Sequence, residues 1–369
     1  MDNLWNGITI YGPGQGGFEE GLVPNHIKDF NAKCFISIYD AWAFNNLHIE
    51  LQKNRIPWIP YLPIDADDLN PRYLEILKYA FKIIPMSKHS EECLRKHFPD
   101  KTLPFIPPGI DFNIYKPYWE TKEEKNKHKL GLGFSEDTFV ISIMGDIKGC
   151  RKRWSENLEG IKIFREKNPQ AKIGIYIQTN MRLISGLDFN VAELLKKFGL
   201  DQITRIVDTY SYVKGTTDLD MVKAYNASDV YLQCSYGEGY SMMNFEAAKC
   251  GTPSISTNFS SMKDAVIDGK TGHLVDFWLE MDQSIARKAC PKPEDIAQKL
   301  QIVYERGSTS YKDECLKFTE KLDWNTIIKN HWLPTLELIE KEIDKACLNP
   351  SEPSEWLNKK SKEIFTVSG

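Results

Sequence analysis

The sequence predicts an α/β protein of two domains, each with a parallel sheet and crossover helices. Three observations indicate this fold class: the length of 369 residues, an alternation of short apolar runs with helical stretches, and a polar segment between two such series. At roughly 150 residues per domain, this length favours two domains, or three. Strands that alternate with helices are typical of units in which helices join parallel strands.

The composition is that of a globular protein with a full hydrophobic core. Hydrophobic residues make up 41% and charged residues 27% of the chain, which excludes disordered, collagen-like and low-complexity classes. The net charge of −4 argues against a dedicated nucleic-acid binder, and we expect no nucleic-acid partner. No apolar run is long enough to span a bilayer, no secretory signal is visible, and the eight cysteines form no Cys-x-x-Cys pair. We therefore expect a cytoplasmic protein with reduced thiols and without a metal site.

The first series of elements is predicted over residues 1–115. Among its predicted strands, the one at 58–62 is short, and its prolines weaken the prediction. The predicted strands lie at 7–11, 34–39, 58–62, 82–86 and 103–106, and the predicted helices at 71–79 and 90–97.

The second series is predicted over residues 116–330, after the polar run Thr121–Lys129. This run is interpreted as an exposed entry helix or linker with a solvated charged face, in preference to a membrane-binding patch. Helices over 331–369 are expected to cross back to the first domain. Because ligands of open parallel sheets bind at the carboxyl ends of the strands, the loops there are the candidate sites. The predicted strands lie at 138–144, 171–177, 203–207, 230–233 and 253–256.

The most informative pattern covers residues 235–253. A predicted strand is followed by the loop 237–239, which has a glycine on each side of Glu238, and by a helix that begins near Ser241. A helix start leaves backbone N–H groups unpaired and carries partial positive charge, which suits a phosphate or a sugar hydroxyl. The second glycine lets a ligand approach the backbone closely. The carboxylates of Glu238 and Glu246 suit a polyol; an ordinary strand–loop–helix with a solvated Glu246 is the alternative.

This pattern resembles the donor-binding signature of family-4 retaining glycosyltransferases of the GT-B fold (glycosyl transferases group 1). The run 268–275 also fits that family, whereas Ser260–Ser261 stand where it usually has two glycines. Residues 107–112 resemble its interdomain boundary, which places the boundary near 115. The resemblance implies a GT-B fold, with two Rossmann-like domains facing each other across a cleft. The residues that match are Glu238, Gly239, Tyr240, Ser241, Glu246, Ala247, Ala248, Gly251, Thr252 and Pro253.

The resemblance also implies how the donor is held. Glu246 is expected to hold the nucleotide ribose, and Glu238 to contact and orient the donor sugar. Two glycines that the family places after its first strand, facing the donor phosphates, correspond to Gly16 and Gly17. Their loop also fits the weaker G-x-G-x-x-G pattern of a dinucleotide fold, and a plain tight turn is the alternative. The backbone implied in contacts with sugar and pyrophosphate comprises Gly239, Tyr240, Ser241, Met242 and Met243.

Positive charge for a departing diphosphate is expected in the loop after the first strand of the second domain. Family members typically have Gly-Arg here and a Lys six residues after the Arg. This chain has Asp146 in place of the Arg, keeps the Lys as Lys152, and has Arg151 beside it. We expect Lys152 first and Arg151 second to stabilise the leaving group; a solvated basic cluster is the alternative.

The acceptor side is predicted in the first domain. We find no equivalent of the His that many relatives place against the transferred sugar. Asp65 ends a run that resembles a P-x-D of relatives, and we expect it to contact the reacting sugar or the acceptor hydroxyl. Asp40, Trp42 and Asn45 follow another strand and are candidates for the acceptor side. In the structural alternatives, Asp65 caps a turn or helix and Trp42 is a core residue.

The resemblance implies a metal-independent, retaining glycosyltransferase. It is expected to move a hexose-type sugar from a UDP- or GDP-linked donor, a co-substrate rather than a cofactor, to a glycan, lipid-linked or protein acceptor. Three alternatives stay open: a glycoside phosphorylase or hydrolase of the same fold, a nicotinamide oxidoreductase built on residues 12–17, and a non-catalytic nucleotide-sugar binder. Association with a membrane surface is also left open.

Overall fold

The computed structural model shows two α/β regions that contact each other. The residues it describes are 3–5, 8–10, 21–40, 43, 46–183, 188–283 and 285–347.

The first region is small. Its helices and strands are β1 (Asn3–Trp5), β2 (Ile8–Ile10), α1 (Val23–Phe30), β3 (Phe35–Ile38), α2 (Leu47–Lys53), β4 (Trp58–Leu62), α3 (Pro71–Leu77), β5 (Ile84–Pro85) and α4 (Lys88–His97). The three strands β3-β4-β5 form a parallel sheet in that order. The central strand β4 is buried at all five positions, although it contains Pro60.

Two predictions for this region are wrong. The run 7–11 does not start the parallel sheet, because β2 pairs antiparallel with β1 in a separate two-stranded sheet. The run 103–106 is not a strand, although Leu103 N still donates to Ile83 O at 2.9 Å. Prolines at 104, 107 and 108 remove backbone donors and restrict φ there, which prevents a regular ladder.

The second region contains a six-stranded parallel sheet. Its elements are α5 (Lys122–His128), β6 (Phe139–Met144), α6 (Trp154–Lys167), β7 (Ile173–Gln178), α7 (Val191–Lys197), β8 (Thr204–Ile206), α8 (Thr209–Lys214), α9 (Asp218–Ala227), β9 (Val230–Gln233), α10 (Met242–Lys249), β10 (Ser254–Thr257), β11 (Gly272–Val275), β12 (Phe277–Met281), β13 (Arg287–Pro291), α11 (Pro293–Arg306), α12 (Lys312–Thr319), α13 (Trp324–Ile327) and α14 (Leu333–Cys347). The strand order is β11-β10-β9-β6-β7-β8. The chain therefore reverses direction across the sheet between β6 and β9, and this switch point is where such sheets bind ligands.

The core of the second region lies between this sheet and the helices α6 and α11. Ile141 and Ile175 of the sheet, Leu158 of α6 and Leu300 of α11 are completely buried. Each such side chain stabilises the fold by about 1.5–3 kcal/mol. A Cβ on Gly160 would lie 2.6 Å from a side-chain carbon of Ile296, so glycine is required where the two helices touch. This core fixes the sheet on which the site is built.

The polar run Thr121–Lys129 contains the predicted entry helix, and residues 121–124 and 127 are exposed, but the prediction of a solvated face is wrong for two lysines. Lys125 is completely buried, and its Nζ donates to Thr252 Oγ1 at 3.3 Å and lies 4.6 Å from the ring centroid of Trp119. Burial lowers the pKa of Lys125 to about 8. Lys129 is also buried and pairs with Asp229 at 2.8 Å. Long lysine stems pack against apolar surface here while their ammonium groups find acceptors.

Helix α14 packs against the sheet of the first region. Ile339 and Ile343 are buried beside Ile59 and Ile84, and Lys82 pairs with Glu342 at 2.9 Å. Neither α14 nor any other helix among the described residues combines the length and the apolar character that crossing a membrane requires. The exact limits of the domains stay a prediction.

Candidate active site

The loops that follow β6 and β9 meet at the switch point and bring three charged side chains together. Lys152 Nζ lies 2.6 Å from Glu238 Oε1, and Arg151 Nη1 binds Glu238 Oε2. Lys152 and Glu238 are buried, whereas the side chain of Arg151 is 46% exposed. Burial opposes ionisation of Glu238, but the two cations outweigh it and hold the pKa of Glu238 below its usual value. The site therefore contains an ionised carboxylate between two cations.

Backbone geometry places Lys152 at this point. Gly145 follows β6 with a φ of 151°, and a Cβ there would lie 2.8 Å from Cε of Lys152. The stem of Lys152 therefore crosses the backbone at a position that only glycine suits. Asn157 Nδ2 donates to the carbonyl oxygens of Lys152, at 3.1 Å, and of Cys234, at 2.9 Å. This amide fixes the loop after β6 to the end of β9, and its role was not predicted.

Two serines hold the backbone of Glu238. The N–H of Glu238 donates to Ser260 Oγ at 3.1 Å, and Ser261 Oγ donates to the Glu238 carbonyl at 2.7 Å. Ser260 has a φ of 49°, in the left-handed region that favours glycine. The departure from the family's two glycines thus supplies hydroxyl groups that glycine lacks, and they lock the loop that carries Glu238.

The glycines around Glu238 are required by the first region of the chain. A Cβ on Gly239 would lie 2.1 Å from Cβ of Pro63, and a Cβ on Gly237 would lie 1.9 Å from the carbonyl oxygen of Asp65. The prediction that a ligand uses the space left by the missing Cβ of Gly239 is wrong, because Pro63 fills this space.

Asp65, the predicted contact to the reacting sugar, lies against this loop through its backbone. Its carboxylate pairs with Lys288 Nζ at 2.8 Å, and its side chain is 41% exposed. Lys288 was not predicted, because it lies outside the recognised motif, on the second strand of a hairpin. The role of Asp65 stays a prediction.

Glu246 lies on α10 and is buried, so the alternative of a solvated Glu246 is wrong. Tyr225 OH donates to Glu246 Oε2 at 2.9 Å. Nearby, Tyr115 OH donates to Asp218 Oδ1 at 3.0 Å. Burial raises the pKa of Glu246 to about 7, against the effect of the Tyr225 hydrogen bond. A carboxylate in this setting gains from further hydrogen-bond donors, such as the vicinal hydroxyls of a ribose.

Residues 240–243 lie at the start of α10 and differ in burial and contacts. Tyr240 stacks on Phe245 with ring centroids 5.0 Å apart and donates to the Pro108 carbonyl at 3.2 Å. Ser241 is buried and makes no side-chain cap to the helix. Met242 is exposed, and Met243 Sδ accepts from Tyr231 OH at 3.3 Å. Their backbone contacts with a donor stay predictions.

Several buried polar atoms around the switch point lack a hydrogen-bond partner within the described part of the chain. They are Gln178 Oε1 and Thr179 Oγ1 at the carboxyl end of β7, and Asn244 Oδ1 on α10. Buried polar groups in folded proteins are nearly always bonded, so such atoms are typical of a ligand site. None of the three was predicted, since single polar residues at strand ends carry no distinctive pattern.

Other predicted residues are separated from this cluster or lie outside the described residues. Gly16, Gly17, Trp42 and Asn45 fall outside the described residues. Asp40 follows β3 and is hydrogen-bonded to Tyr73, whose pKa is raised by burial and by the charges of Asp40 and Asp65. The loops after β3 and β4 therefore both approach Tyr73, and the acceptor-side role of Asp40 stays a prediction.

Part of the second region matches a known protein family. Residues 190–288 match the family model of glycosyl transferases group 1. This stretch is therefore similar to that family. Two curated relatives are D-inositol 3-phosphate glycosyltransferases: that of Paenarthrobacter aurescens is 26% identical over 170 residues, and that of Corynebacterium jeikeium is 26% identical over 172 residues. The alignments cover 46% of this chain and only 38% and 39% of those relatives, so the chain spans about two fifths of their length.

Solved structures confirm the GT-B fold. Alr3699/HepE of Anabaena, in complex with UDP and glucose, has a TM-score of 0.65 at 15% identity, covering 86% of this chain and 81% of that chain. A glycosyltransferase of Rickettsia africae has a TM-score of 0.66 at 15% identity and covers 92% and 85%. Sucrose-phosphate synthase of Thermosynechococcus elongatus has a TM-score of 0.68 at 15% identity and covers 87% and 77%. The resemblance on which the sequence analysis relied is thus confirmed.

The glycosyl transferases group 1 stretch contains only part of the site. Glu238, Glu246 and the serine pair lie within it, as does Lys288 at its last residue. Lys152 and Asp65 precede it and reach Glu238 only through the tertiary fold. The ion pair at the switch point therefore joins the family motif to a residue far from it in sequence.

Proposed function

We propose that the protein is a retaining, metal-independent glycosyltransferase that moves a hexose-type sugar from a nucleoside-diphosphate sugar to a glycan, lipid-linked or protein acceptor. The observation that carries this proposal is the pairing of Lys152 and Arg151 with Glu238 at the switch point of the sheet. The fold and the matched family support it, as do neighbours with UDP and glucose bound. UDP is therefore the first nucleotide to test, with GDP second.

Lys152 and Arg151 suit a diphosphate leaving group. A buried cation stabilises developing negative charge more strongly than an exposed one, because the surrounding dielectric constant is low. Without a donor, Glu238 compensates the charge of buried Lys152, which would otherwise be costly. A bound diphosphate would share both cations with Glu238, and half-exposed Arg151 has room to follow it. These two cations would supply the charge that a divalent metal ion supplies elsewhere, which is why we propose metal independence.

Retention is proposed from the resemblance to retaining glycosyltransferases, and the state of Glu238 bears on how retention would be achieved. Both of its carboxylate oxygens are bound by cations, which makes it a weak nucleophile but leaves it able to accept from sugar hydroxyls. Glu246 is bonded to Tyr225 inside the helix packing. A retaining hydrolase needs two carboxyl groups roughly 5 Å apart across the scissile bond. In the proposed step the acceptor hydroxyl attacks the anomeric carbon from the face that the diphosphate leaves, the bond from that carbon to the diphosphate breaks, and the hydroxyl proton passes to the departing diphosphate, without a covalent sugar–protein intermediate.

Glu246 is proposed to select the nucleotide through its ribose. Two vicinal hydroxyls offer two donors to one carboxylate, and such bonds to a charged acceptor contribute about 1.5–3 kcal/mol each. The two ribose hydroxyls favour the ionised form of Glu246 and oppose the effect of burial, which raises the pKa of Glu246 to about 7. Binding of the nucleotide sugar should therefore release a proton from Glu246 below neutral pH.

Thermal unfolding with a panel of UDP, GDP and their sugar conjugates tests donor binding, since a ligand that binds the folded state raises its Tm. Nucleoside diphosphate release is then measured with and without mono- and oligosaccharide acceptors, and the anomeric configuration of the product is read by NMR. Release that depends on an acceptor, with retained configuration, is the expected result.

The same assay separates the alternatives. Free sugar released without an acceptor would indicate a hydrolase, and sugar phosphate formed from inorganic phosphate and a glycoside would indicate a phosphorylase. Stabilisation by a nucleotide sugar without any turnover would indicate a non-catalytic binder, consistent with Asp146 in place of the family's Arg. No stabilisation by any nucleotide would contradict the proposal altogether.

A further inference from the structure

A hairpin of the second region reaches across to the first region. Its strands are β12 and β13, and it follows the last strand of the large sheet. Asp67 N donates to the Arg287 carbonyl at 3.1 Å, and Arg287 N donates to Asp67 Oδ1 at 3.0 Å. Arg287 Nε donates to Asp67 Oδ2 at 2.6 Å. One residue pair therefore makes three hydrogen bonds between the two regions.

Lys288, the next residue of the hairpin, makes a second link. Its Nζ lies 2.8 Å from Asp65 Oδ2 and 3.3 Å from Asp282 Oδ2. The side chain of Lys288 is only 13% exposed, so this pair is better shielded from solvent than that of Arg287, which is 56% exposed. Removing the Lys288 charge would leave two carboxylates facing each other, which is unfavourable.

The other end of the hairpin is fixed to the loops that form the candidate site. Ala289 N donates to the carbonyl of Tyr236, two residues before Glu238, at 2.9 Å. Arg153, beside Lys152, lies 4.1 Å over the ring of Tyr236 and binds Glu280 of the hairpin. The hairpin thus contacts both charged loops as well as the first region.

We propose that Arg287 and Lys288 are positioning residues that hold the first-region loop 63–67 against the loop of Glu238. The proposal rests on the proposed function. Pro63 and Asp65 touch Gly239 and Gly237 so closely that a displacement of the loop 63–67 must move Glu238 or open the site. Errors of about 1 Å in such a site can lower turnover by up to about 10²-fold. The hairpin acts through loop position and touches no reacting atom.

The first test compares Lys288→Met with Lys292→Met. Lys292 pairs with Asp276 at 3.0 Å at the base of the same hairpin, within the second region, and serves as the matched control. We expect Lys288→Met to lower kcat about tenfold while the affinity for UDP changes less than twofold. Lys292→Met should keep wild-type kcat. Equal kcat in both variants, or an equal loss of UDP affinity and kcat in Lys288→Met, would overturn the proposal.

The second test is a charge swap. Arg287→Asp and Asp67→Arg should each lower kcat, and the double variant should recover most of the loss, because the ion pair is restored in reverse orientation. A double variant no better than the worse single variant would overturn the role of this pair.

Hydrogen exchange separates this proposal from the proposed function. Mass spectrometry of the full chain should show faster exchange at Asp67 and its neighbours in Arg287→Asp and Lys288→Met, and unchanged exchange in Lys292→Met. Unchanged exchange in all variants would overturn the positioning role even if the wild type transfers sugar. Faster exchange together with an inactive wild type would contradict the proposed function and leave the positioning contact intact.

Discussion

Two buried ion pairs stand at opposite ends of the same two strands, and they differ in what surrounds them. Lys152 pairs with Glu238 at 2.6 Å at the carboxyl ends of β6 and β9, and Lys129 pairs with Asp229 at 2.8 Å at their amino ends. All four side chains are less than 10% exposed. Distance and burial therefore do not distinguish the two pairs; their position on the sheet does.

The pair at the amino ends is completed by the fold itself. Asp229 accepts from Val140 N at 2.8 Å and from Ser308 Oγ at 2.8 Å, and Lys129 Nζ donates to the Thr138 carbonyl at 2.7 Å. These partners tie β6, β9 and the C-terminal helices together. The pair at the carboxyl ends instead shares its carboxylate with half-exposed Arg151, beside buried polar atoms that lack partners. A buried ion pair therefore indicates a binding site where its surroundings leave hydrogen-bonding capacity unused.

The largest expected effect is that of Lys152→Ala on turnover. Loss of one fixed charge at the leaving group should lower kcat by a factor on the order of 10² or more. Steady-state release of nucleoside diphosphate measures it, with Lys172→Ala as the control, because Lys172 is 65% exposed and pairs with Asp137 at the surface. Turnover of Lys152→Ala near that of the control would refute the site assignment.

Asp229→Ala should lower the stability of the fold and leave turnover nearly unchanged. Removing one partner of a buried pair leaves an uncompensated charge and costs about 3 kcal/mol of folding free energy or more. Denaturant unfolding should show this loss, whereas kcat per folded molecule should stay near that of the wild type. A large loss of kcat with unchanged stability would place this pair in the active site as well.

Glu246→Gln should stabilise the free protein while weakening nucleotide binding. The pKa of Glu246 is about 7 in the folded protein and near 4.5 when unfolded, so its ionisation costs stability as pH rises from about 4.5 to about 7. The variant avoids this cost: its advantage should be absent below pH 4.5 and reach about 3 kcal/mol above pH 7.

Thermal unfolding between pH 4 and 8.5, with and without UDP, measures both effects of this variant. Wild-type affinity for UDP should increase from pH 6 to pH 8 as Glu246 ionises, and the variant should bind weakly throughout. A wild-type affinity that is independent of pH would argue against Glu246 as the ribose ligand.

The smallest expected effect is that of the serine pair. Ser261→Gly removes the hydroxyl that donates to the Glu238 carbonyl and should cost about 1 kcal/mol of stability. Ser260→Gly loses a comparable bond but relieves the left-handed φ of 49°, so its effect should be smaller. Chemical denaturation of the two single variants measures the difference. If Ser260→Gly were the more destabilising of the two, the strain argument would be wrong.

Local sequence patterns predicted the large sheet well. The strand runs at 138–144, 171–177 and 230–233 correspond to β6, β7 and β9, because continuous apolar runs are typical of strands that are buried on both faces. The start of α10 near Ser241 was also predicted. The run 103–106 was not, since an apolar run interrupted by prolines can serve as a buried connection without a ladder.

The sequence by itself determined the βα alternation, the two acidic residues around the start of α10 and the family whose model residues 190–288 match, because each of these is encoded in a local stretch of the chain. Only the tertiary structure decided which charges are buried together. Lys152 and Glu238 are 86 positions apart, and Lys125 reaches Thr252 across 127 positions. Whether a lysine is solvated or buried depends on an acceptor supplied by a distant strand or helix, and periodicity along the chain carries no information about that partner.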